Sequence, residues 1–454
     1  MDISQRRNLI CVTLGALPPL VVLFSIFFWR PHFGLMDDHF HVLSLLPSIH
    51  EKGFWAATVD YARRDWILGV VRLTYIPMAV ALYGPGESSA GLPTFVLNWI
   101  FVVAITSYSA LMLGRLLKLP FWPLFTAPFA LFYFHDFFLF PSLQEKMLLP
   151  LGITLIYLVS PACKLCDSHR LFSIFGVVVM GVISKTSFVI FFLPCTFLLL
   201  DEVRRHRKKV FQNSGIFFLF VASTLGLMLL AKHGTYGAGR LSVSAAVRNM
   251  LSPTFLLLAA PAFVSLLWMR TGWERAGACY LIPALSLLGF FIVFLPWGIA
   301  AYLQTVILPF VGASIVQVIW GSPYSTQVKS YAFYILVFMA LVVTSYRSTI
   351  NFVRLHDLGE ILSWVENSHL PEELPVYANC YEGSYAMERY IRKESGRPIT
   401  VTEWATVKKP GKNFLFLGDS ALCPMIGKID DCTVEELKRG SFGGSFRVDK
   451  WRCL

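Results

Sequence analysis

The chain has 454 residues, of which 56% are hydrophobic and 15% are charged, and its mean hydropathy is +0.60. Soluble domains carry about a quarter charged residues, so this composition excludes an ordinary soluble protein and predicts a polytopic α-helical membrane protein. The formal net charge of +11 does not predict a nucleic-acid partner, because most basic residues lie at the ends of apolar segments.

The apolar segments predict eleven membrane spans, several of them shorter than the ~20 residues that a perpendicular helix requires. The first is too long for the core of a cleavable signal peptide and is interpreted as a retained span. The segment 66–83 contains Arg72 and Pro77 and is instead predicted to lie along the outer leaflet, which keeps Arg115 and Lys118 cytoplasmic. The predicted spans are 9–29, 92–113, 120–140, 147–163, 171–184, 187–200, 211–231, 254–269, 277–297, 303–320 and 331–346.

The orientation follows from the distribution of basic residues. The run Arg204-Arg205-His206-Arg207-Lys208-Lys209 indicates a cytoplasmic turn under the positive-inside rule. The N-terminus is then cytoplasmic, and the first long loop, 30–91, is extracytoplasmic, as is the C-terminal region. Arg347 and Arg354 follow the last span on that outer side, which counts against the assignment.

Residues 1–349 are predicted to form the transmembrane domain, and residues 350–454 a small extracytoplasmic α/β domain. Four cysteines of the second domain suit disulfides in an oxidising compartment, namely Cys380, Cys423, Cys432 and Cys453. Helices are predicted over 358–365 and 385–391, strands over 376–378, 398–401 and 413–418, and a turn over 440–444.

Two adjacent carboxylates, Asp37 and Asp38, follow the first span closely. Such a pair is costly near a bilayer because both groups lose hydration and repel each other. If the following residues are helical, Asp37 and His41 lie one turn apart and would bind a divalent cation; alternatively, a carboxylate would act as a base beside a substrate hydroxyl. The simpler interpretation is a solvated acidic loop with interfacial histidines.

A second predicted outer turn carries Asp136, Glu145 and Lys146. A carboxylate at the depth of Asp136 is functional more often than not. Glu145 is equally well explained as an acid favoured at a helix N-terminus.

Cations occur at two further positions on the predicted outer side. Lys185, at the turn between two short spans, would neutralise a phosphate as a point charge, or else it snorkels to the interface without a ligand. Arg240 lies in the glycine-containing loop 232–253, whose basic and aromatic residues suit a phosphate carried on a lipid, although a solvated loop has the same composition.

The sequence contains no Walker loop, dinucleotide glycine fingerprint or HExxH motif. The sequence therefore does not support a reaction that is driven by ATP or by a redox cofactor. A substrate that is activated in advance is the natural way to drive chemistry at the outer face.

In this layout the chain resembles the GT-C-type glycosyltransferases, which use polyprenyl-phosphate-linked sugars and include protein O-mannosyltransferases and lipid A aminoarabinose transferases. The resemblance rests on the Asp37-Asp38 pair, on Leu82-Tyr83-Gly84-Pro85 before a span that ends Leu113-Gly114-Arg115-Leu116-Leu117, and on Ser184-Lys185-Thr186. It implies that Asp37 first, and Asp38 second, acts as a base or binds a metal near the acceptor. The acidic residues that the family has in its second outer turn carry over onto Asp136 or Glu145 of this chain. In this chain, however, that turn lacks a DxD arrangement.

The resulting expectation is a multi-pass enzyme of the inner membrane that moves a sugar from a polyprenyl-phosphate donor to a lipid, glycan or protein acceptor at the outer face. Lys185 and Arg240 are expected to bind the donor phosphate. The competing class is a transporter or flippase of lipid-linked sugars, which predicts charges at mid-membrane and a repeat between halves. A structural subunit, in contrast, would not depend on the acidic pair.

Overall fold

The computed structural model shows a bundle of helices followed by a small β-sheet. It describes residues 3–31, 45, 48–73, 75–83, 91–139, 141, 145–205, 210–233, 253–267, 269–294, 301–367, 374–378, 401–403, 412–419, 431–442 and 446–453. The helices are α1 (Ile3–Trp29), α2 (Phe54–Leu68), α3 (Tyr75–Tyr83), α4 (Leu92–Leu117), α5 (Phe121–Thr126), α6 (Asp136–Leu139), α7 (Glu145–Val159), α8 (Asp167–Ser184), α9 (Phe192–Arg205), α10 (Val210–His233), α11 (Pro253–Leu267), α12 (Met269–Ala276), α13 (Ile282–Phe294), α14 (Leu308–Trp320) and α15 (Thr326–Asn367).

Seven helical segments of the described part are long and apolar enough to cross a membrane, and α14 is a shorter apolar helix. Each of the seven overlaps one of the predicted spans, and the protein is a multi-span membrane protein. The number eleven stays a prediction. The seven segments are Leu9–Trp29, Leu92–Leu117, Asp167–Ser184, Thr186–Arg205, Asn213–Leu230, Gly272–Val293 and Thr326–Ile361.

The predicted span 120–140 is not one continuous helix. After α5 it continues as two 3₁₀ segments, Ala127–Ala130 and Phe132–His135, and then as the short α6. Pro123 and Pro128 each lack the N–H that an α-helical hydrogen bond needs, which favours this break. The consequence is that His135 and Asp136 are buried at an irregular point of the bundle.

The segment 66–83 is divided between two helices, because Gly69 ends α2 with a left-handed φ of 72°. Neither α2, with 15 residues, nor α3, with 9, reaches the ~20 residues of a span. Trp55, Val59 and Trp66 form an exposed apolar stripe on α2, whereas Ala57 and Asp65 are buried against the protein. An exposed apolar stripe of this kind is typical of a helix that lies along a membrane surface. The predicted interfacial segment 66–83 shares only 66–68 with α2 and stays a prediction.

The C-terminal sheet has five described strands in the order β2-β1-β3-β5-β4: β1 (Val376–Ala378), β2 (Val401–Glu403), β3 (Asn413–Asp419), β4 (Cys432–Arg439) and β5 (Phe446–Cys453). β1 is parallel to β2 and β3, and β5 is antiparallel to β3 and β4. Phe414, Phe416 and Trp451 form its core. The predicted strands 376–378 and 413–418 are confirmed.

The other predictions for this region have mixed outcomes. The second predicted strand, 398–401, coincides with β2 only at Val401, because 398–400 lie outside the described residues. The predicted helix 385–391 also lies outside them. Strands β4 and β5 were not predicted, because their charged residues hide the alternation of a half-buried strand. The predicted helix 358–365 lies within α15, which also runs across the predicted domain boundary at 349/350. That boundary stays a prediction.

Cys432 and Cys453 form a disulfide that joins the start of β4 to the end of β5. This is one cross-link among the four cysteines whose even number suits disulfides in an oxidising compartment. Cys380 and Cys423 lie outside the described residues.

Candidate functional site

Of the predicted site residues, the structure describes Asp136, Glu145, Lys146 and Lys185. Asp37, Asp38, His41 and Arg240 lie outside the described residues, so their predicted roles stay predictions.

Lys185 is paired with Glu145. Glu145 begins α7 and Lys185 follows α8 in an extended conformation, which brings the Lys185 Nζ into a salt bridge with Glu145 Oε1. The Glu145 side chain is 2% exposed and that of Lys185 is 19% exposed. The sequence presents Lys185 as a lone cation; the fold instead gives it a buried counter-ion and leaves its side chain partly exposed.

A second cation, Arg72, lies close to this turn in the fold. The Leu73 N–H donates to the Ile183 carbonyl at 3.0 Å, so the stretch after α2 runs beside the end of α8. The Arg72 Nη2 donates to Asp65 Oδ1 at 2.7 Å, with the arginine side chain 17% exposed and the aspartate 3% exposed. Two cations, each held by a buried carboxylate, therefore occur at neighbouring points of the site.

Sequence reasoning missed Arg72 as a site residue and used it only to argue against a span. The available signal was an arginine inside an otherwise apolar stretch, only seven positions after an aspartate. The proximity to Lys185 depends on a hydrogen bond between distant segments, which the sequence does not reveal.

Lys146 has a different role from Lys185. It is fully buried, and its Nζ donates to Asn98 Oδ1 at 2.5 Å and to the Pro141 carbonyl at 2.8 Å. Asn98 Nδ2 donates in turn to the carbonyls of Phe137 and Phe138, both at 3.1 Å. Carbonyls at the end of a helix need such partners, so Lys146 and Asn98 stabilise the backbone around Phe137, Phe138 and Pro141. The prediction of Lys146 as a site residue stays a prediction.

Asp136 pairs with Arg347 of α15, whose Nη2 donates to Asp136 Oδ1 at 2.7 Å. The Arg347 guanidinium also lies 4.1 Å from the centre of the Phe132 ring. Beside this pair, His135 Nε2 lies 3.1 Å from the Phe129 carbonyl oxygen. The pairing shows why a basic residue is tolerated just after the last predicted span: its charge is neutralised by a carboxylate from another part of the chain.

The comparisons with known proteins give a match in structure alone. No protein-family model matches the chain, and no curated protein matches it. The crystal structure of apo ArnT from Cupriavidus metallidurans superposes with a TM-score of 0.51 at 11% identity, covering 99% of this chain and 98% of ArnT. The chain has the ArnT fold.

ArnT is a lipid A aminoarabinose transferase and a GT-C enzyme, so the predicted GT-C-like fold is confirmed. ArnT bound to undecaprenyl phosphate has also been solved, and it superposes with a TM-score of 0.46 at 12% identity, covering 97% of each chain. The likeness to ArnT assigns a fold, and the roles of individual residues rest on the chain's own chemistry.

The ArnT-like bundle holds no metal-ligand cluster within the residues that the structure describes, where no group of three or more His, Cys, Asp or Glu side chains lies together. Asp37 and His41, the predicted ligands, are outside that part. A divalent cation at these two residues therefore stays a prediction.

Asp65 gives the candidate site a pH-dependent element. Burial raises the pKa of its carboxyl above 3.8, and the opposing effect of Arg72 is smaller. Because the folded protein binds this proton more tightly than the unfolded chain does, the contribution of Asp65 to stability is full below pH 3.8 and is lost as the pH rises through the raised pKa. Between about pH 4 and neutrality, the thermal stability of wild type is expected to fall more steeply than that of Asp65→Asn.

The measurement is the unfolding temperature of both purified proteins across that pH range in one detergent. Asp60→Asn is the matched control, because Asp60 is on the same helix but exposed and paired with exposed Lys52. Parallel curves for wild type and Asp65→Asn would contradict the expectation.

Proposed function

We propose that the protein is a membrane glycosyltransferase that moves a sugar from a polyprenyl-phosphate donor to an acceptor at the outer, periplasmic face of the inner membrane. The observation that carries the proposal is the pairing of Lys185 with buried Glu145 beside the Arg72–Asp65 pair, in a chain with the ArnT fold.

The two cations suit a lipid phosphate. In each pair the carboxylate is buried and the cation is the more exposed partner, so each cation is held at a fixed position with part of its side chain exposed. Lysine binds phosphate as a point charge. The Nε and Nη2 of Arg72 already donate to Asp65, so its guanidinium would act on the phosphate mainly through its charge. Lys185 and Arg72 would hold the donor phosphate, and Arg240 would approach it from the loop 232–253.

The proposed reaction is an inverting displacement. The acceptor hydroxyl oxygen forms a bond to the anomeric carbon of the sugar, and the bond from that carbon to the phosphate oxygen breaks. The bonding electrons leave with the polyprenyl phosphate, whose increased negative charge Lys185 and Arg72 stabilise. The hydroxyl proton passes to the carboxylate of Asp37, either directly or with a divalent cation orienting the hydroxyl, and then to water.

The test of the proposed function compares a deletion strain with its complemented parent. Mass spectrometry of envelope lipids, glycans and proteins is expected to show one glycosylated product missing from the deletion strain, with the matching polyprenyl-phosphate sugar accumulated. A flippase would only move the lipid-linked sugar from the inner to the outer leaflet, without breaking the bond between sugar and phosphate. Accumulation of the donor confined to the inner leaflet would therefore contradict a transferase.

We further propose that the C-terminal sheet lies outside the cytoplasm, which its disulfide supports because such bonds persist in oxidising compartments. In spheroplasts, a membrane-impermeant maleimide is expected to label Cys432 and Cys453 only after reduction. Exposed Cys166, in a predicted cytoplasmic turn, is expected to react only after permeabilisation. Mass spectrometry locates the labels, and the reverse pattern would contradict the orientation.

A further inference from the structure

The backbone on both sides of Lys185 is fixed by hydrogen bonds. Lys185 is followed by the 3₁₀ segment Thr186–Phe191, in which the side chains of Phe188 and Phe191 are fully buried. The Lys185 N–H donates to the Gly181 carbonyl at 3.1 Å, and the Lys185 carbonyl accepts the Phe188 N–H at 3.0 Å. The position of Lys185 therefore depends on the end of α8 and on the 3₁₀ segment.

Glycines on three helices let the 3₁₀ segment approach closely. A Cβ at Gly181 of α8 would overlap the ring of Phe188. A Cβ at Gly152 of α7 would overlap the ring of Phe191. A Cβ at Gly289 of α13 would overlap a backbone carbonyl of the same segment. The segment is thus packed directly against the backbones of α7, α8 and α13.

The two buried rings are packed on their other sides as well. The ring centre of Phe188 lies 5.6 Å from that of Phe191, which in turn lies 6.0 Å from that of Phe310 on α14. Atoms added to a packed interior displace their neighbours. A Cβ at Gly181 would therefore push Phe188 and, with it, the backbone next to Lys185.

This packing lies beside the salt bridge of the candidate site. Gly181 is one helical turn before Lys185, whereas Glu145 begins α7. A shift of the 3₁₀ segment would move Lys185, which lies outside α8 in an extended conformation, relative to the buried carboxylate of Glu145. The salt bridge would weaken, because an ion pair depends on a separation of a few ångströms.

We propose that Gly181 is a positioning residue: its contact with Phe188 places Lys185 against Glu145 and so fixes the cation that would hold the donor phosphate. The use of this cation for a phosphate rests on the proposed glycosyltransferase function. The placement of Lys185 is a property of the fold and is measured separately.

The experiment compares Gly181→Ala, Gly181→Ala/Phe188→Leu and Gly176→Ala in the full-length protein. Leucine lacks the ring atoms that the new Cβ would overlap, so the double variant tests rescue. Gly176 is the matched control, because it lies on the same helix and a Cβ there would have no atom within 4 Å. Transfer kinetics use membranes of the deletion strain, which contain the accumulated donor.

The placement of Lys185 is measured by its rate of acylation with N-hydroxysuccinimidyl acetate in purified protein, and mass spectrometry locates the acetyl groups. Partial burial and the salt bridge with Glu145 restrict the access of the reagent to Lys185. Exposed Lys52 reports the activity of the reagent, and fully buried Lys146 reports whether the bundle stays folded.

In Gly181→Ala, acylation of Lys185 is expected to accelerate about threefold to tenfold and kcat to fall by a similar factor, while Lys52 and Lys146 react as in wild type. The double variant is expected to recover most of both changes, and Gly176→Ala to behave as wild type.

Unchanged acylation of Lys185 in Gly181→Ala would overturn the proposal, and so would faster acylation with wild-type kcat. Faster acylation of Lys146 together with Lys185 would show a general loosening of the bundle and overturn a local role of Gly181. Faster acylation of Lys185 alone, together with no transfer by wild type, would support the placement by Gly181 and overturn the proposed function instead.

Discussion

Replacement of Asp37 by asparagine is expected to reduce the rate of sugar transfer by about 10²- to 10⁴-fold, the contribution of a general base. Asparagine keeps the size of the side chain but cannot accept the hydroxyl proton or bind a cation as a carboxylate does. The substitution also removes charge repulsion with Asp38, so the stability of the protein is expected to stay the same or to rise. The measurement is transfer in membranes together with the unfolding temperature of the purified variant.

The control for Asp37→Asn is Asp60→Asn, in the same predicted outer loop. Asp60 is exposed and forms a surface salt bridge with Lys52, a type of pair that contributes at most about 1 kcal/mol. It is expected to retain wild-type transfer. Asp38→Asn is expected to have a smaller effect than Asp37→Asn. A folded Asp37→Asn variant with full transfer would contradict the mechanism.

Substitutions at the Lys185–Glu145 pair are expected to separate stability from activity. Lys185→Met leaves a buried carboxylate without its cation, and Glu145 Oε2 already has no hydrogen-bond partner in the described structure. Breaking a buried pair from one side costs about 3–5 kcal/mol. Loss of a group that stabilises the leaving phosphate is expected to reduce transfer by about 10²- to 10³-fold.

The double variant Lys185→Met/Glu145→Gln removes both charges. Since no uncompensated charge remains buried, its unfolding temperature is expected to return close to that of wild type. Its transfer activity is expected to stay as low as that of Lys185→Met. This combination shows that the pair has a functional role, because a purely structural pair would recover activity with stability.

Arg205→Met is the control for these variants. Arg205 is a largely exposed cation that pairs with Asp201 one turn earlier on α9, at the predicted cytoplasmic end. Its loss is expected to change neither stability nor transfer measurably. A double variant with normal transfer would contradict the phosphate-binding role of Lys185.

The sequence predicted a substantial part of this arrangement. The membrane class and the strands β1 and β3 follow from apolar runs, turn residues and flanking charges, which act locally along the chain. Glu145 and Lys185 were each selected from their depth and position. Their pairing was not predicted, because 40 residues separate them and only the packing of α7 on α8 brings them together.

The same limit applies to the rest of the site. Asp136 was predicted from its depth, but its partner Arg347 comes from α15, more than two hundred positions later. Lys146 has the same local context as Glu145, and only its contacts with Asn98 and Pro141 show that it stabilises a turn. The strands β4 and β5 escaped prediction because pairing and a disulfide, rather than apolar alternation, define them.

The sequence by itself determined that this protein resides in a membrane, because hydropathy and flanking charge are local properties of the chain. Only the tertiary structure decided which charges neutralise each other. An ion pair depends on distances of a few ångströms between segments that are far apart in sequence, and those distances exist only once the helices have packed.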